Sequence, residues 1–295
     1  MSTVLAASPA VSPAVSPLTL STISPAHAVE AELNYLAPGT ARPVNYTFEP
    51  PEGTPWSSGT LDPRRVTIHD ARPLAQSGGI SLDDQGFQWV AHASRLHDFS
   101  DDARIRDVYL PESAALLRTL MGAAKVVIFD HTLRDSAQGS RANAALREPV
   151  RRVHNDQTFV SGPRRVRDHL EAVEAAQRLQ RRFAIVNLWR PLSEVEQLPL
   201  ALCDARSIAP DDLVPTDLVY RDKIGETYSF LANPRHRWFY FPRLRPDEAL
   251  LLKIYDSRDD GTARLTAHTA FDDPDTPEDA APRRSIELRA LVFWD

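Results

Sequence analysis

Cysteine and lysine are scarce in this chain of 295 residues, and long apolar runs are missing. The single cysteine, Cys203, excludes a disulfide within the chain and is typical of a protein of the reducing cytoplasm. Cys203 lies in an apolar run, where a buried, unreactive thiol is usual. No stretch approaches the roughly eighteen apolar residues that a membrane span needs, so we expect neither an integral membrane protein nor a membrane partner.

Glycine is also rare relative to proline, with 11 glycines against 24 prolines. Proline interrupts helices and is tolerated at strand edges and in turns, so this composition favours a fold rich in strands and loops. Acidic residues outnumber basic ones by 40 to 34, and the net charge is −6. Nucleic-acid-binding domains present a basic surface to phosphates, so we expect no nucleic-acid partner.

The composition divides the chain into two parts. Residues 1–29 are almost entirely Ala, Ser, Pro, Val and Thr, and they carry no charge. A secretory signal would need a basic start and a longer apolar core, so we predict a flexible tail over these residues. Mixed composition continues from residue 30 to residue 295 without a second linker or a repeat, and we predict a single domain there.

Short strand patterns dominate the predicted domain. They predict strands over 65–69, 80–82, 87–90, 125–129, 183–189, 198–203, 238–241, 250–255, 263–267 and 285–294, with a hairpin joining the second and third. Helices are predicted from Pro111 to Gly122 and over 166–182. Many short strands after an early helical region predict an α+β protein, mainly β, built on a sandwich or barrel.

One closely spaced pair of side chains could hold a metal. His154 and Asp156 lie two residues apart in a β-compatible stretch, where alternate side chains point the same way and can share an ion. Such a pair is part of the 2-His-1-carboxylate triad that binds non-haem Fe(II). The pair alone is a weak signal, because roughly one such match is expected by chance. His169 and Glu171 form a second match, but residues two apart on a helix diverge.

The triad needs a second histidine from a distant strand. His236 lies in a turn-like polar stretch, where we expect a surface histidine. His268 follows the predicted strand over 263–267 and precedes Arg283 and Ser285. A 2-oxoglutarate oxygenase needs this order, because a basic residue after the distal histidine pairs with the far carboxylate of the cosubstrate. His268 is therefore the preferred third ligand.

Seven stretches, in order along the chain, resemble one known family. They are residues 149–158 (PVRRVHNDQT), 187–191 (NLWRP), 198–204 (LPLALCD), 238–240 (WFY), 255–257 (YDS), 268–271 (HTAF) and 283–289 (RRSIELR). Together they resemble the CmcJ/AsaB-type hydroxylase/desaturases, which are Fe(II)/2-oxoglutarate-dependent oxygenases of secondary metabolism. The resemblance extends over roughly residues 34–294.

That resemblance implies both a fold and an activity. The fold is a double-stranded β-helix, or jelly roll, with flanking helices. The activity is hydroxylation or desaturation of a small-molecule substrate, with Fe(II) as the cofactor, 2-oxoglutarate and O2 as cosubstrates, and succinate as a product. Asp156 matches the carboxylate that halogenating relatives lack, so the resemblance favours oxygenation.

The resemblance also implies roles for particular residues. The matched metal ligands, which form the catalytic centre, are His154, Asp156 and His268. Arg283 and Ser285 match the pair that binds 2-oxoglutarate, and Arg289 matches a further recurrent position. Between the two arginines we favour Arg283, because it is nearer to His268 in the chain and two residues from the serine.

Seven other residues are candidates for the substrate pocket. Two follow a buried strand and could reach the pocket mouth, three lie on one predicted strand, and two are strand tyrosines able to donate a hydrogen bond. Core packing, or a structural ion pair for the arginine of the middle group, is the alternative for each. The candidates are His131, Arg134, Asn187, Trp189, Arg190, Tyr240 and Tyr255.

Two functions of other classes stay open at this point. One is a cupin-like metalloenzyme that does not use 2-oxoglutarate, against which the Arg-x-Ser pattern argues. The other is a non-catalytic binding protein in which the His154–Asp156 pair is fortuitous. Nothing in the sequence indicates an oligomeric state.

Overall fold

The computed structural model describes residues 28–140, 143 and 145–295. Of the tail predicted over 1–29, residues 1–27 lie outside the described part of the chain, whereas Ala28 and Val29 begin the first strand. The described fold is mainly β, with few helices, as the strand patterns predict.

Fifteen strands form two sheets within the described residues. They are β1 (Ala28–Leu36), β2 (Val44–Tyr46), β3 (Leu61–Asp70), β4 (Phe87–Ala91), β5 (Lys125–Asp135), β6 (Leu146–Arg147), β7 (His154–Asn155), β8 (Phe183–Pro191), β9 (Leu200–Cys203), β10 (Leu213–Val219), β11 (Ile224–Phe230), β12 (Trp238–Tyr240), β13 (Glu248–Asp256), β14 (His268–Ala270) and β15 (Arg284–Phe293). The larger sheet has the order β1-β3-β12-β9-β14-β7-β11-β10-β2, and the smaller β4-β13-β8-β15-β5-β6.

The central strands of the smaller sheet are buried on both faces, which explains their nearly continuous apolar sequences. In β8, Ile185 and Trp189 join a hydrophobic cluster that also contains residues of the larger sheet, so this face is the inner one. Val186 and Leu188 point the other way, into a cluster covered by helices. Successive residues alternate between these faces, as the strand period of two requires.

Helices cover the outer face of the smaller sheet, and others pack against the cluster between the two sheets. They are α1 (Arg72–Gln76), α2 (Asp102–Arg104), α3 (Leu110–Met121), α4 (Ser161–His169) and α5 (Ala172–Arg178), with a π-helical turn, Ile105–Tyr109, between α2 and α3. Helix α3 confirms the helix predicted from Pro111 to Gly122, and Gly122 ends it in the left-handed region at φ 58°. Among the described residues, every helix is too short or too polar to reach across a bilayer.

The helix predicted over 166–182 is wrong. The chain forms α4 and α5 instead, separated by the extended residues Leu170 and Glu171. A straight helix would turn Val173 towards the core, but 73% of Val173 is exposed. The break allows Val166 and Ala175 to pack into the same inner cluster, so tertiary packing overrides the helical pattern.

Two strand predictions are also wrong. Residues 80–82 are not a strand, and β4 pairs with β13 rather than forming a hairpin. The Gln85 side chain bonds the backbone of Ser81 and Gly79, which folds this segment on itself. Residues 263–267 are irregular because their amides bond other loops and strands, as when Ala263 donates to the Asp83 carbonyl. The strand begins only at His268.

One of the three lysines is completely buried. The Nζ of Lys253 donates to Oδ1 of Asp83 and to Oδ2 of Asp256, each at 2.7 Å, and 0% of the Lys253 side chain is exposed. Arg182 also donates to Oδ2 of Asp256, at 2.8 Å. Burying a charge is costly unless it is paired, so this network ties β13 to the segment before β4 and to the start of β8.

The network predicts a stability difference between two lysine substitutions. Lys253→Met should lower the free energy of unfolding by about 2 kcal/mol, because it removes one of the two cations that donate to the buried carboxylate of Asp256. The control Lys223→Met, at an exposed lysine, should change it by less than about 0.5 kcal/mol. Urea unfolding measures both, and equal losses in the two variants would contradict the assignment.

Candidate metal centre

Strand pairing brings two distant histidines together. His154 in β7 lies directly opposite His268 in β14 in an antiparallel register, and β14 also pairs with β9. Residues directly opposite in adjacent strands project to the same face. The imidazole centroids are accordingly 4.3 Å apart, and both side chains are buried.

Asp156 completes the group just after β7 ends. Its Oδ1 is 3.6 Å from Nε2 of His154, and one ligand atom from each of the three side chains lies within 4.8 Å of the others. The structure therefore brings together His154, Asp156 and His268, the three residues that the sequence predicts as metal ligands. Two imidazoles and one carboxylate are the donor set of the facial triad.

The imidazoles of His154 and His268 are in a form that can bind a metal through a ring nitrogen. Nδ1 of His154 lies 2.8 Å from the carbonyl oxygen of Arg152, which places the ring proton on Nδ1 and leaves Nε2 to face Asp156. Nδ1 of His268 is buried without a hydrogen-bond partner among the described residues. Burial lowers the pKa of both histidines, and for His154 the neighbouring imidazole adds to this effect. Neutral imidazole is the form that binds metals.

Two hydrogen bonds fix one oxygen of the Asp156 carboxylate. Its Oδ2 accepts hydrogen bonds from Nε of Arg289 at 2.9 Å and from Nδ2 of Asn187 at 2.8 Å. Burial opposes its ionisation, but the charge of Arg289 leads a set of favourable interactions that together hold the pKa of Asp156 below its usual range. Asp156 is therefore an anion with Oδ1 directed towards His154.

A second set of polar groups, Arg283 and Ser285, lies where β15 begins. Arg283 is 2% exposed, it donates to the carbonyl of Leu198, and its Nε has no partner among the described residues. The hydroxyl of Ser285 is also buried and unpaired. The guanidinium lies 5.6 Å from the ring centroid of Trp189, and burial lowers the pKa of Arg283 to about 9. Unpaired buried donors need an acceptor, and an anionic carboxylate would supply one.

Known proteins are similar to this chain in sequence. A family model described as an oxidoreductase/YMDC permease-like domain matches residues 33–293. The Fe(II)/2-oxoglutarate-dependent dioxygenase nvfI of Aspergillus novofumigatus is 34% identical over 90% of this chain and 96% of its own length. The hydroxylase/desaturase efuI of Hormonema carpetanum is 34% identical over 78% of this chain and 83% of its length. The chain belongs to the hydroxylase/desaturase family of Fe(II)/2-oxoglutarate-dependent oxygenases.

A solved structure agrees with this membership. The iron and alpha-ketoglutarate-dependent endoperoxidase NvfI superimposes with a TM-score of 0.81 and 32% identity, over 91% of this chain and 99% of NvfI. The resemblance inferred from the sequence is thus confirmed: the protein is an oxygenase that uses Fe(II), 2-oxoglutarate and O2. Neither alternative, a metalloenzyme without 2-oxoglutarate or a non-catalytic binding protein, fits a member of this family.

Three of the substrate candidates lie beside the oxygenase site. Asn187 contacts Asp156, and Trp189 lies beside Arg283. Arg134 donates to the carbonyl of Glu148 at 2.9 Å and is 4.0 Å from the carboxylate of Glu287. Glu287 was not among the predicted site residues, although the strand period places it on the inner face between Ser285 and Arg289.

Two candidates lie on the opposite face of the sheet. Nε2 of His131 is 2.9 Å from Oδ1 of Asp102 in α2, on the side covered by helices. Arg190 donates to the hydroxyl of Tyr109, and its NH2 lies 2.7 Å from Nδ1 of His92. Each is one position out of phase with the inward residues of its strand, so these side chains point away from the metal cluster.

The tyrosine candidates are core aromatics. Tyr240 meets the ring of Phe271 edge-on at 5.5 Å, and Tyr255 stacks on Phe183 at 5.0 Å.

The side chain of His236, expected on the surface, is buried: only 1% of it is exposed, and its ring nitrogens contact the hydroxyl of Tyr35 and the carboxylate of Asp212, each at 3.0 Å. A polar turn can thus carry a buried histidine where tertiary partners satisfy both nitrogens.

The ion pair of Arg289 should make a measurable contribution to stability. Arg289→Leu should lower the free energy of unfolding of the metal-free protein by about 3 kcal/mol, because it leaves the largely buried carboxylate of Asp156 without its cation and Glu287 with only the more distant Arg134. Arg284→Leu is the control, since the Arg284 side chain is 57% exposed on the same strand. If chemical denaturation shows that both variants are as stable as the wild type, the pair contributes nothing.

Proposed function

We propose that the protein hydroxylates or desaturates a small secondary metabolite at an iron bound by the three clustered side chains, with 2-oxoglutarate bound by the Arg-x-Ser pair of β15. The observation that carries this proposal is the presence of two polar sets on different sheets, one on β7 and β14 of the larger sheet and one at the start of β15 on the inner face of the smaller sheet. The proposed iron ligands are His154, Asp156 and His268, and the proposed cosubstrate residues are Arg283 and Ser285.

We infer a double-stranded β-helix as the scaffold, in one domain that includes residues 30–295 and begins with β1 at Ala28. Two sheets enclose a shared cluster, to which β9 of one sheet contributes Leu202 and β13 of the other contributes Leu252. The match to the NvfI endoperoxidase along nearly its whole length supports this scaffold. The predicted cytoplasmic location and the predicted lack of nucleic-acid and membrane partners stay predictions.

The donor set fits the iron that the family uses. Neutral imidazoles and one carboxylate oxygen suit non-haem Fe(II) and leave coordination positions open for small ligands. Bound iron would supply the oxidising chemistry that couples decarboxylation of 2-oxoglutarate by O2 to removal of hydrogen from the substrate. The chain itself holds the ligands in place, buries the two histidines, and keeps all three ligands in the ionisation states that bind metal.

Arg283 is the better candidate for the cosubstrate carboxylate. All three nitrogens of Arg289 donate to side chains of the protein, namely those of Asp156, Asp130, Thr132 and Glu287. Within the described part of the chain, Nε of Arg283 has no acceptor, and the hydroxyl of Ser285 two residues away has no partner either. A guanidinium and a hydroxyl side by side can both donate to one carboxylate, and burial strengthens these charge-assisted bonds.

The ligand assignment predicts loss of turnover in specific variants. Asp156→Ala and His268→Ala should reduce iron-dependent succinate formation by more than the roughly 10- to 100-fold that loss of an outer partner costs, because each removes a ligand. His131→Ala should retain activity, since His131 faces the helices. Succinate released from 2-oxoglutarate is the measurement, and full activity in Asp156→Ala would contradict the assignment.

The cosubstrate assignment predicts that one substitution weakens 2-oxoglutarate binding and leaves the stability of the protein nearly unchanged. Arg283→Met should weaken 2-oxoglutarate binding by at least about thirtyfold, the equivalent of about 2 kcal/mol. It should leave the ligand-free protein within about 1 kcal/mol of wild-type stability, because the guanidinium, which has no ion pair among the described residues, already bears the cost of burial. The measurement is the rise in Tm on adding 2-oxoglutarate with a divalent metal.

Arg284→Met is the matched control for this variant, and its 2-oxoglutarate-dependent rise in Tm should equal that of the wild type. An unchanged rise in Arg283→Met would show that another residue binds the cosubstrate.

A further inference from the structure

The two oxygens of the Asp156 carboxylate have different surroundings. Oδ2 accepts two hydrogen bonds, from Nε of Arg289 and from Nδ2 of Asn187. Oδ1 is directed at Nε2 of His154, 3.6 Å away. One oxygen is therefore occupied by donors of the protein, and the other faces the ligand cluster.

The sheet fixes both donors in register. In the smaller sheet β15 lies between β8 and β5, and Arg289 is paired with Asn187 on one side and with Asp130 on the other. Directly opposite residues share a face, so the amide and the guanidinium both project inward to Oδ2 of Asp156. A bulge in β5 follows this position, where the register shifts between Arg289 and Ala290.

Further contacts immobilise the guanidinium. NH1 of Arg289 donates to Oδ2 of Asp130 and to Oγ1 of Thr132, each at 3.1 Å, and NH2 donates to Glu287. The contact with Glu287 also occupies a second buried carboxylate on the inner face. A planar guanidinium held at all three nitrogens cannot turn without breaking several charge-assisted bonds.

We propose that Arg289 and Asn187 are positioning residues that reserve Oδ2 of Asp156, so that the carboxylate offers only Oδ1 to the metal. This inference rests on the proposed function, in which Asp156 is a ligand. Carboxylates bind metals through one oxygen or through two. A carboxylate bound through both oxygens would occupy a position that a facial triad leaves to the small-molecule ligands, and the two donors prevent this.

The test uses Co(II) as the probe, added without oxygen to the metal-free full-length protein. Asn187→Ala and Arg289→Lys should each weaken Co(II) binding by about 10- to 100-fold, the cost of losing an outer partner of a ligand. Each should also change the intensity of the visible absorption of bound Co(II), which depends on the coordination number, because freed Oδ2 can join the metal. A merely structural role would not change this spectrum.

Arg190→Lys is the matched control, because Arg190 is a buried arginine of β8 that contacts Tyr109 and His92 on the opposite face. It should lower stability while leaving the Co(II) affinity and spectrum unchanged. Asn187→Ala removes one neutral side chain, so it keeps the test decisive even if Arg289→Lys does not fold.

Wild-type affinity together with a wild-type spectrum in Asn187→Ala would overturn the positioning role. A wild-type protein that binds neither Co(II) nor Fe(II) would instead overturn the proposed iron ligands, and the inference would fall with them. The two failures are therefore distinguishable in one set of titrations.

Discussion

The largely buried ion pair between Arg289 and Asp156 is the interaction on which the site depends. Asp156 can remain an anion in a largely buried position because the guanidinium offsets the cost of taking its charge out of water. The same guanidinium also pairs with the buried Glu287, so one cation contacts both carboxylates. Arg283, by contrast, forms no ion pair with any described carboxylate and is left for an anion from outside. The protein thus supplies the counter-charge for Asp156 itself, whereas the counter-charge for Arg283 comes from the cosubstrate.

In the smaller sheet, alternate side chains of a strand face opposite sides, so only those on the inner face can reach the site. Asn187 and Arg190 lie three positions apart on β8 and therefore face opposite sides. Asn187 contacts Asp156, whereas Arg190 binds Tyr109 and His92. Arginines of β15 differ in the same way, since Arg284 is exposed and Arg289 is buried beside Asp156. Residue type alone does not decide the role of a polar side chain here. The face of the sheet on which it lies decides it.

The sequence predicted most where short-range rules govern the chain. The spacing of His154 and Asp156 follows from strand geometry, and the apolar runs of β8, β13 and β15 follow from burial on both faces. Failures occur where partners are distant in the chain. The break at Leu170, the burial of His236 and the engagement of Arg289 with four side chains all depend on tertiary contacts that spacing does not encode. Strands β10 and β11 escaped prediction because their sequences, LVPTDLV and IGETYSF, mix polar residues with a proline and a glycine.

The most direct test of the account is a crystal structure of the protein grown without oxygen in the presence of Mn(II), as a stand-in for iron, and 2-oxoglutarate. We expect the metal on the imidazoles of His154 and His268 and on Oδ1 of Asp156, with the far carboxylate of 2-oxoglutarate on Arg283 and Ser285. Metal bound elsewhere, or a cosubstrate carboxylate paired with Arg289 in place of Asp156, would contradict the account.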